Sequence, residues 1–286
     1  QINKVFFTGG TNTAAHIIKN SSKNFAQLNL ELGGKSAAII FDDCDIEGSL
    51  NNLITGAFSG NGESCISSSL CLIQENIYDD FISKLIERVR QIKLGPPLES
   101  ESNMGPLAHE KQVGFLETQI EKSVGEGAKV LIGGKRAANL GSSLYFEPTI
   151  ILCPDRSISV SRTELFAPCL SVIKFHEEEE AISIANDSEY GLSSGVFTES
   201  SERAERVSKA IDAGICFINC YRFISPHVSF QGRKWSGYGF ESGYDAIQSM
   251  QVKKSIWTST ARVTQDPFHW TSDNYAMQLS NEPNVH

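Results

Sequence analysis

The stretch Leu28-Asn29-Leu30-Glu31-Leu32-Gly33-Gly34-Lys35-Ser36-Ala37-Ala38-Ile39-Ile40-Phe41 sets two apolar runs on either side of a glycine pair. Short apolar runs bounded by turn residues suit buried strands, so 28–32 and 37–41 are predicted as strands. Upstream, Val5-Phe6-Phe7 reads as a strand, Gly9-Gly10 as a turn and 14–19 as a helix. Downstream, Asp45 is placed to cap a helix that runs to about Phe58, and 70–74 is a strand. Within 78–92, Phe81, Ile82, Leu85, Ile86 and Val89 recur at helical spacing. Pro96-Pro97 closes that unit. Further strands are predicted at 128–132, 150–152, 170–175, 195–198 and 215–219, and helices at 110–124, 178–186 and 202–211. Such alternation implies an α/β fold on a largely parallel sheet. The acidic run at 177–180 is most simply a solvated helix N-terminus, where the dipole favours anions. After Trp257 the sequence turns polar and aperiodic, as an extension outside the core would.

Composition narrows the function. The 286 residues are 40% hydrophobic and 21% charged, which suits a globular protein with a large core and excludes a disordered chain. The formal charge is −9 with no basic stripe, which argues against nucleic acid as a partner. No apolar run reaches the roughly 18–20 residues that span a bilayer, so no membrane segment is expected. Seven cysteines at 44, 65, 71, 153, 169, 216 and 220 are odd in number and irregularly spaced. That spacing speaks against a disulfide framework and for a reducing compartment, the cytoplasm, and no ligand spacing suggests a metal. The first residue is Gln rather than Met, so a leader or organellar targeting segment upstream stays open.

Three places have the residue types that chemistry needs. Cys65 follows Gly60 and Gly62, and glycines there permit a tight loop and close approach by a ligand. The same cysteine also reads as a buried structural thiol. Glu31 lies at a strand end beside two glycines, where a carboxylate can serve as a general base, or can be a surface residue on an edge strand. Phe7-Thr8-Gly9-Gly10-Thr11 is a strand–turn–helix candidate for placing a phosphate at a helix N-terminus, without the full G-x-G-x-x-G pattern.

Taken in order, these pieces resemble the aldehyde dehydrogenase superfamily from the first residues to about Trp257. Phe7-Thr8-Gly9 is similar to its Phe-Thr-Gly turn, Glu31-Leu32-Gly33-Gly34-Lys35-Ser36 to its glutamate signature, and Gly62-Glu63-Ser64-Cys65 to its cysteine signature. Met104-Gly105-Pro106, Glu147-Pro148-Thr149, Glu164-Leu165-Phe166-Ala167-Pro168, Asn186-Asp187, Tyr190-Gly191-Leu192, Ala213-Gly214, Asn219 and Ser236-Gly237-Tyr238-Gly239 continue the series.

The resemblance implies an α/β catalytic domain with a Rossmann-like parallel sheet, and a coenzyme domain mostly absent. It implies NAD(P)-dependent oxidation of an aldehyde to an acid. The Cys65 thiolate would attack the carbonyl, the thiohemiacetal would pass a hydride to the nicotinamide of NAD or NADP, and Glu31 would activate water to hydrolyse the thioester. It further implies that Gly9 and Gly10 approach the pyrophosphate, that Leu32 and Gly33 face the nicotinamide, and that Glu164 and Phe166 hold the adjoining ribose. Phe58 and Phe230 match aromatic positions of the substrate tunnel and read equally as core aromatics. No metal enters.

On the same footing, 1–33 would end the coenzyme domain and 34–234 would form the catalytic domain. Residues 235–261 would return the chain and supply an oligomerisation strand at 249–257, and 262–286 would be a polar tail. A homo-oligomer, dimer or tetramer, is the implied partner. The resemblance covers about half of the family's chain, and the Gln start favours a fragment. The missing half would contain an Asn that assists the oxyanion. Departures are Glu63 for the usual Gln, Gly60 for a frequent Asn, Ala167 for Gly, Gln231 within the Phe-Gly-Gly turn and Ala14 for a helix-start Gly. Glu63 puts a second carboxylate near Cys65, which is expected to raise the thiol's pKa. Two rivals remain: a non-catalytic relative that acts as a scaffold or binding protein, and a thioester or ester hydrolase that uses Cys65 and Glu31 without nicotinamide.

Overall fold

Strand β1 (Lys4–Thr8), helix α1 (Thr11–Ser21) and strand β2 (Gln27–Glu31) open the chain, with β1 and β2 parallel and Val5 opposite Leu28. This computed structural model describes residues 2–138, 140–260 and 268. From β2 the chain passes through Gly33-Gly34 into β3 (Ala37–Ile40), then α2 (Ile46–Phe58), β4 (Leu70–Gln74) and α3 (Tyr78–Val89). Helix α4 (Glu110–Gly125), β5 (Lys129–Ile132), β6 (Thr149–Leu152), the single turn α5 (Ser159–Arg162) and β7 (Cys169–Phe175) follow. Next come α6 (Glu178–Asn186), β8 (Tyr190–Gly191), β9 (Ser193–Phe197), α7 (Ser201–Ala210) and β10 (Ile215–Ile218). The return segment has β11 (Arg233–Lys234), β12 (Gly237–Tyr238) and α8 (Gly243–Ser249).

The large sheet has the order β10-β9-β3-β4-β7-β6-β5, and every pairing is parallel except β5 with β6. Both faces are buried, which is why its strands read as continuous apolar runs instead of alternating ones. Ala37, Ile39 and Phe41 pack on one face with Leu72, Ile173, Val196 and residues of α4 and α7. Ala38 and Ile40 pack on the other with Cys71, Ile73, Val172 and residues of α2 and α3. Helix α3 reaches that face through Phe81, Ile82, Leu85 and Val89, the positions expected from the helical spacing.

The small sheet has the order β1-β2-β12. Here the structure corrects one expectation. Glu31 is not a surface residue on an edge strand, because β12 arrives from the far end of the chain and pairs antiparallel with β2, Gly237 opposite Glu31. Strand β2 is thus central and Glu31 is buried, 4% exposed. Ser236 joins the end of the small sheet to β8, which pairs antiparallel with β11 in a separate two-stranded sheet. Its hydroxyl donates to the Gly33 carbonyl (2.7 Å) and accepts from the Gly191 N–H (3.0 Å), while its own carbonyl accepts from the Leu32 N–H (3.0 Å).

The chain divides into two units, Gln1–Met250 and Gln251–His286. In the stretch expected as an oligomerisation strand, Ser249 ends α8, and residues 251–260 have no regular secondary structure. The polar tail expected at 262–286 lies outside the described residues apart from Phe268. No helix among the described residues is long and apolar enough to cross a membrane.

Candidate active site

The site forms where the carboxyl ends of the small sheet meet the amino ends of the large one. Gly9 and Glu31 stand at the ends of β1 and β2, whereas Gly34, Cys65 and 164–167 precede β3, β4 and β7. Helix α2 ends at Phe58, and the chain then turns through three consecutive left-handed residues, Gly60 (φ 63°), Asn61 (φ 60°) and Gly62 (φ 67°). Asn tolerates this region better than other side-chain-bearing residues, and the Asn61 amide donates to the Pro106 carbonyl at 2.8 Å. A Cβ on Gly62 would lie 2.3 Å from the Ala167 carbonyl oxygen, and one on Gly34 would lie 2.7 Å from the Cys65 carbonyl oxygen. Glycine is therefore needed on both sides of the Cys65 loop.

A cleft of about 810 Å³ gathers most of the expected site. Cys65, Glu31, Gly9, Gly10, Leu32 and Gly33 line it, together with Glu164 and Phe166. Phe58 and Phe230 do not. Phe58 packs in the core beside Leu53 and Ala57, and Phe230 pairs with Glu241 in an isolated bridge. Sequence reading did not single out Asn12, Gln112 or Phe115, which also line the cleft. The helical spacing of α4 gives no sign that its Gln112 and Phe115 turn toward the cysteine. Phe166 holds a left-handed backbone (φ 47°), uncommon for a bulky residue and frequent at functional positions.

Burial sets the electrostatics of both candidate groups, and it acts on Cys65 in the same direction as on Cys44, Cys71, Cys153, Cys169 and Cys216. Burial pushes the Glu31 carboxyl up to about 8, with the charge of Glu241 adding to it. Neither carboxyl oxygen of Glu31 has a hydrogen-bond partner among the described residues, so both remain available to a water or a substrate proton. Burial also pushes the Cys65 thiol up. The Ile66 amide pulls it back, and the carboxylates of Glu31 and Glu164 push it further up. This corrects the expectation for Glu63, whose carboxylate accepts the Ala108 N–H at 3.0 Å. The carboxylates acting on Cys65 are Glu31 and Glu164. Burial raises the Glu164 carboxyl, while the Gly34 N–H (3.0 Å) and the buried Lys35 ammonium oppose the rise.

The cleft suits a dinucleotide at one end. Gly10 stands at the N-terminus of the eleven-residue α1, and a Cβ built on it would meet nothing within 4 Å. Anions favour such an N-terminus. A Cβ on Gly33 would sit 1.8 Å from the Glu164 carboxylate, so glycine there keeps the carboxylate close to the backbone. Gly9, Gly10, Gly33, Glu164 and Phe166 are the residues that could hold a nicotinamide coenzyme. Among the described residues no group of three or more His, Cys, Asp or Glu side chains is placed to hold a metal ion.

The profile of the Aldehyde dehydrogenase family matches residues 1–256. The chain belongs to the aldehyde dehydrogenase family. It is 43% identical over 266 residues to the (Z)-2-((N-methylformamido)methylene)-5-hydroxybutyrolactone dehydrogenase of Acinetobacter baylyi, covering 92% of this chain and 54% of that enzyme. It is 35% identical over 262 residues to the betaine aldehyde dehydrogenase of Brucella anthropi, covering 91% of this chain and 54% of that one. The fold matches the crystal structure of betaine aldehyde dehydrogenase from Staphylococcus aureus in complex with NAD+ (TM-score 0.87, 35% identity), over 92% of this chain and 54% of that one. The chain spans about half the length of the curated relatives it matches.

Proposed function

We propose that this chain carries the nucleophile and general base of an NAD(P)-dependent aldehyde dehydrogenase, with Cys65 and Glu31 in those roles. The observation that supports this most is that a thiol and an unpartnered carboxyl, pushed up to about 8, line one cleft with a helix N-terminus at its far end. The Cys65 sulfur adds to the aldehyde carbonyl and forms a thiohemiacetal. Gly9, Gly10 and Gly33 would hold a nicotinamide coenzyme, which would accept the hydride that the thiohemiacetal must lose to become a thioester. Glu31 then takes a proton from the water that attacks the thioester on Cys65, and the carboxylic acid leaves. Because Glu31 releases its proton only near pH 8, hydrolysis speeds up as pH rises through that value and then levels off. NAD is the coenzyme in the related crystal structure, and NADP fits the same reading.

Residues 1–33 on this reading end a coenzyme domain, 34–234 form the catalytic domain, and 235–261 return the chain and pair with another subunit in a homo-oligomer. The chain spans about half the length of its curated relatives, and residues 1–286 alone are expected to oxidise aldehydes too slowly to detect. The relatives named above act on betaine aldehyde and on a hydroxybutyrolactone, and a small-molecule aldehyde is the substrate class for this chain as well. The compartment is reducing, the cytoplasm being the simplest, although relatives include chloroplastic and peroxisomal forms.

The test is rapid-mixing kinetics of the longer protein with saturating coenzyme and several aldehydes. Glu31→Gln should leave a burst of NADH or NADPH followed by turnover slowed about 10²–10⁴-fold, and Cys65→Ala should give neither phase. Equal loss of burst and steady state in Glu31→Gln would remove Glu31 from hydrolysis. Thioester hydrolysis through Cys65 without any burst would favour the coenzyme-independent hydrolase.

A further inference from the structure

A second approach to the Cys65 loop comes from the segment after β10. At the carboxyl end of that strand the chain reverses at Asn219 (φ 51°), whose side chain accepts from the Thr198 N–H (3.0 Å) and donates to the Thr198 carbonyl (2.8 Å). Tyr221 then carries it back along the sheet, buried so tightly that a Cβ on Gly56 or Gly195 would come within 3 Å of its ring. The Tyr221 hydroxyl meets the Ser193 hydroxyl (3.2 Å) at the amino end of β9, the end of the sheet where Cys65 lies. Arg222 is next, in a left-handed conformation (φ 62°), and its Nη1 donates to the Ser59 carbonyl at 3.2 Å. Ser59 caps α2 and begins the loop that ends in Cys65.

The guanidinium has capacity to spare. One backbone carbonyl takes one of its five N–H donors. Arg136, Arg162, Arg203 and Arg206 each pair with a carboxylate, whereas among the described residues no carboxylate lies within 4 Å of Arg222. The neighbouring Phe223 and Ile224 are 76% and 61% exposed, and a Cβ on Gly60 would meet nothing within 4 Å. None of Arg222, Phe223 and Ile224 lines the cleft that holds Gly9, Gly10 and Glu164. The root of the loop thus carries a half-buried cation with no carboxylate partner among the described residues, next to an exposed apolar pair and to free space at Gly60.

We propose that Arg222 selects for aldehydes that carry a carboxylate at the far end of a short apolar chain, and against aldehydes that carry a cation. The proposal rests on the reading of Cys65 as nucleophile. The methylenes of such a substrate lie against Phe223 and Ile224, its carboxylate takes the free N–H groups of Arg222, and its carbonyl carbon reaches the Cys65 sulfur. The planar fork of arginine fits a carboxylate in two-point contact, which a lysine reproduces only in charge.

Alkylation of Cys65 tests the proposal on the 286-residue chain without coenzyme. Haloacids of two to four carbons are compared with the corresponding haloamides, and labelling of each cysteine is followed by mass spectrometry. The variants are Arg222→Asn, which tolerates the left-handed backbone, and Arg222→Lys. At the best chain length the acid-to-amide rate ratio at Cys65 should fall about fivefold in Arg222→Asn, recover in part in Arg222→Lys, and shrink in high salt. An unchanged ratio at every length in Arg222→Asn overturns the proposal and leaves Cys65 as nucleophile. An equal fall at Cys44 and Cys220 also overturns it, because the effect is then one of overall charge. No detectable haloamide labelling of Cys65, with Cys44 and Cys220 labelled, removes the nucleophile reading, and the proposal with it.

Discussion

The two sheets that meet at the site are built to different standards. The large one is covered on both faces, with Ile39, Ile40, Leu70, Leu72 and Phe175 inaccessible to solvent. The small one buries little beyond Ala14, Leu30 and Leu32, and leaves Ile2, Phe6, Ile18 and Phe25 exposed around β1 and α1. Each supplies half of the candidate site. Cys65 and Glu164 ride on the rigid sheet, while Glu31, Gly9 and Gly10 ride on the lightly packed one. The placement of the Glu31 carboxyl depends on the return of the chain, because β12 pairs with β2 opposite Glu31 and Ser236 holds the Gly33 carbonyl.

That contrast predicts a graded set of losses. Phe175→Ala, which deletes a fully buried ring packed edge-on to Phe41 at 5.4 Å, should cost about 3–5 kcal/mol in urea unfolding. Phe6→Ala, at 43% exposure on the small sheet, should stay within about 0.5 kcal/mol. Similar costs at the two positions would erase the distinction between the sheets. Next in size is a pair of glycines. Gly62→Ala sets a side chain against the Ala167 backbone at positive φ and should cost about 2–3 kcal/mol and slow Cys65 labelling. Gly33→Ala meets only the end of the Glu164 side chain, which can swing away, so its cost should be under about 1 kcal/mol. Equal destabilisation by both would mean that Glu164 is as fixed as the backbone.

The smallest contrast should come from Glu31→Gln compared at two pH values. Folding raises this carboxyl from 4.5 to about 8, so between those values the folded chain holds a proton that the unfolded chain has released. Stability therefore falls as pH rises from about 4.5 to 8, and then stays low. Relative to the parent, Glu31→Gln should gain about 1–2 kcal/mol at pH 9 and close to nothing at pH 4.5. A gain independent of pH would show that the carboxyl is better solvated than its burial implies.

The sequence carries these features unequally. Long apolar runs and helical spacings were readable because burial on two faces, or along one stripe, writes a pattern into consecutive residues. Helix 178–186 has the bounds its sequence predicts, and Asp45 does stand at the N-cap of α2, although its side chain makes no capping bond. Strands β8, β11 and β12 left no pattern. Each has two residues, and their partners are distant in sequence, as with Tyr190 opposite Lys234 and Gly237 opposite Glu31. Glycines around the site were legible as close approaches. The burial of Glu31 was not, because it depends on β12. The left-handed backbones at Phe166 and Arg222 were hidden too, since neither residue type favours that region. The influence of Glu241 on Glu31 likewise follows from the return of the chain and from no local motif.

The upward push on the Cys65 thiol has a consequence for its exposure to oxidants. Peroxide attacks the thiolate, and a thiol held protonated at neutral pH is a poor target for it. A resting site with its sulfur in this form resists oxidative damage while it waits. On the proposed reading, the burial that opposes thiolate formation at Cys65 also shields its sulfur from peroxide.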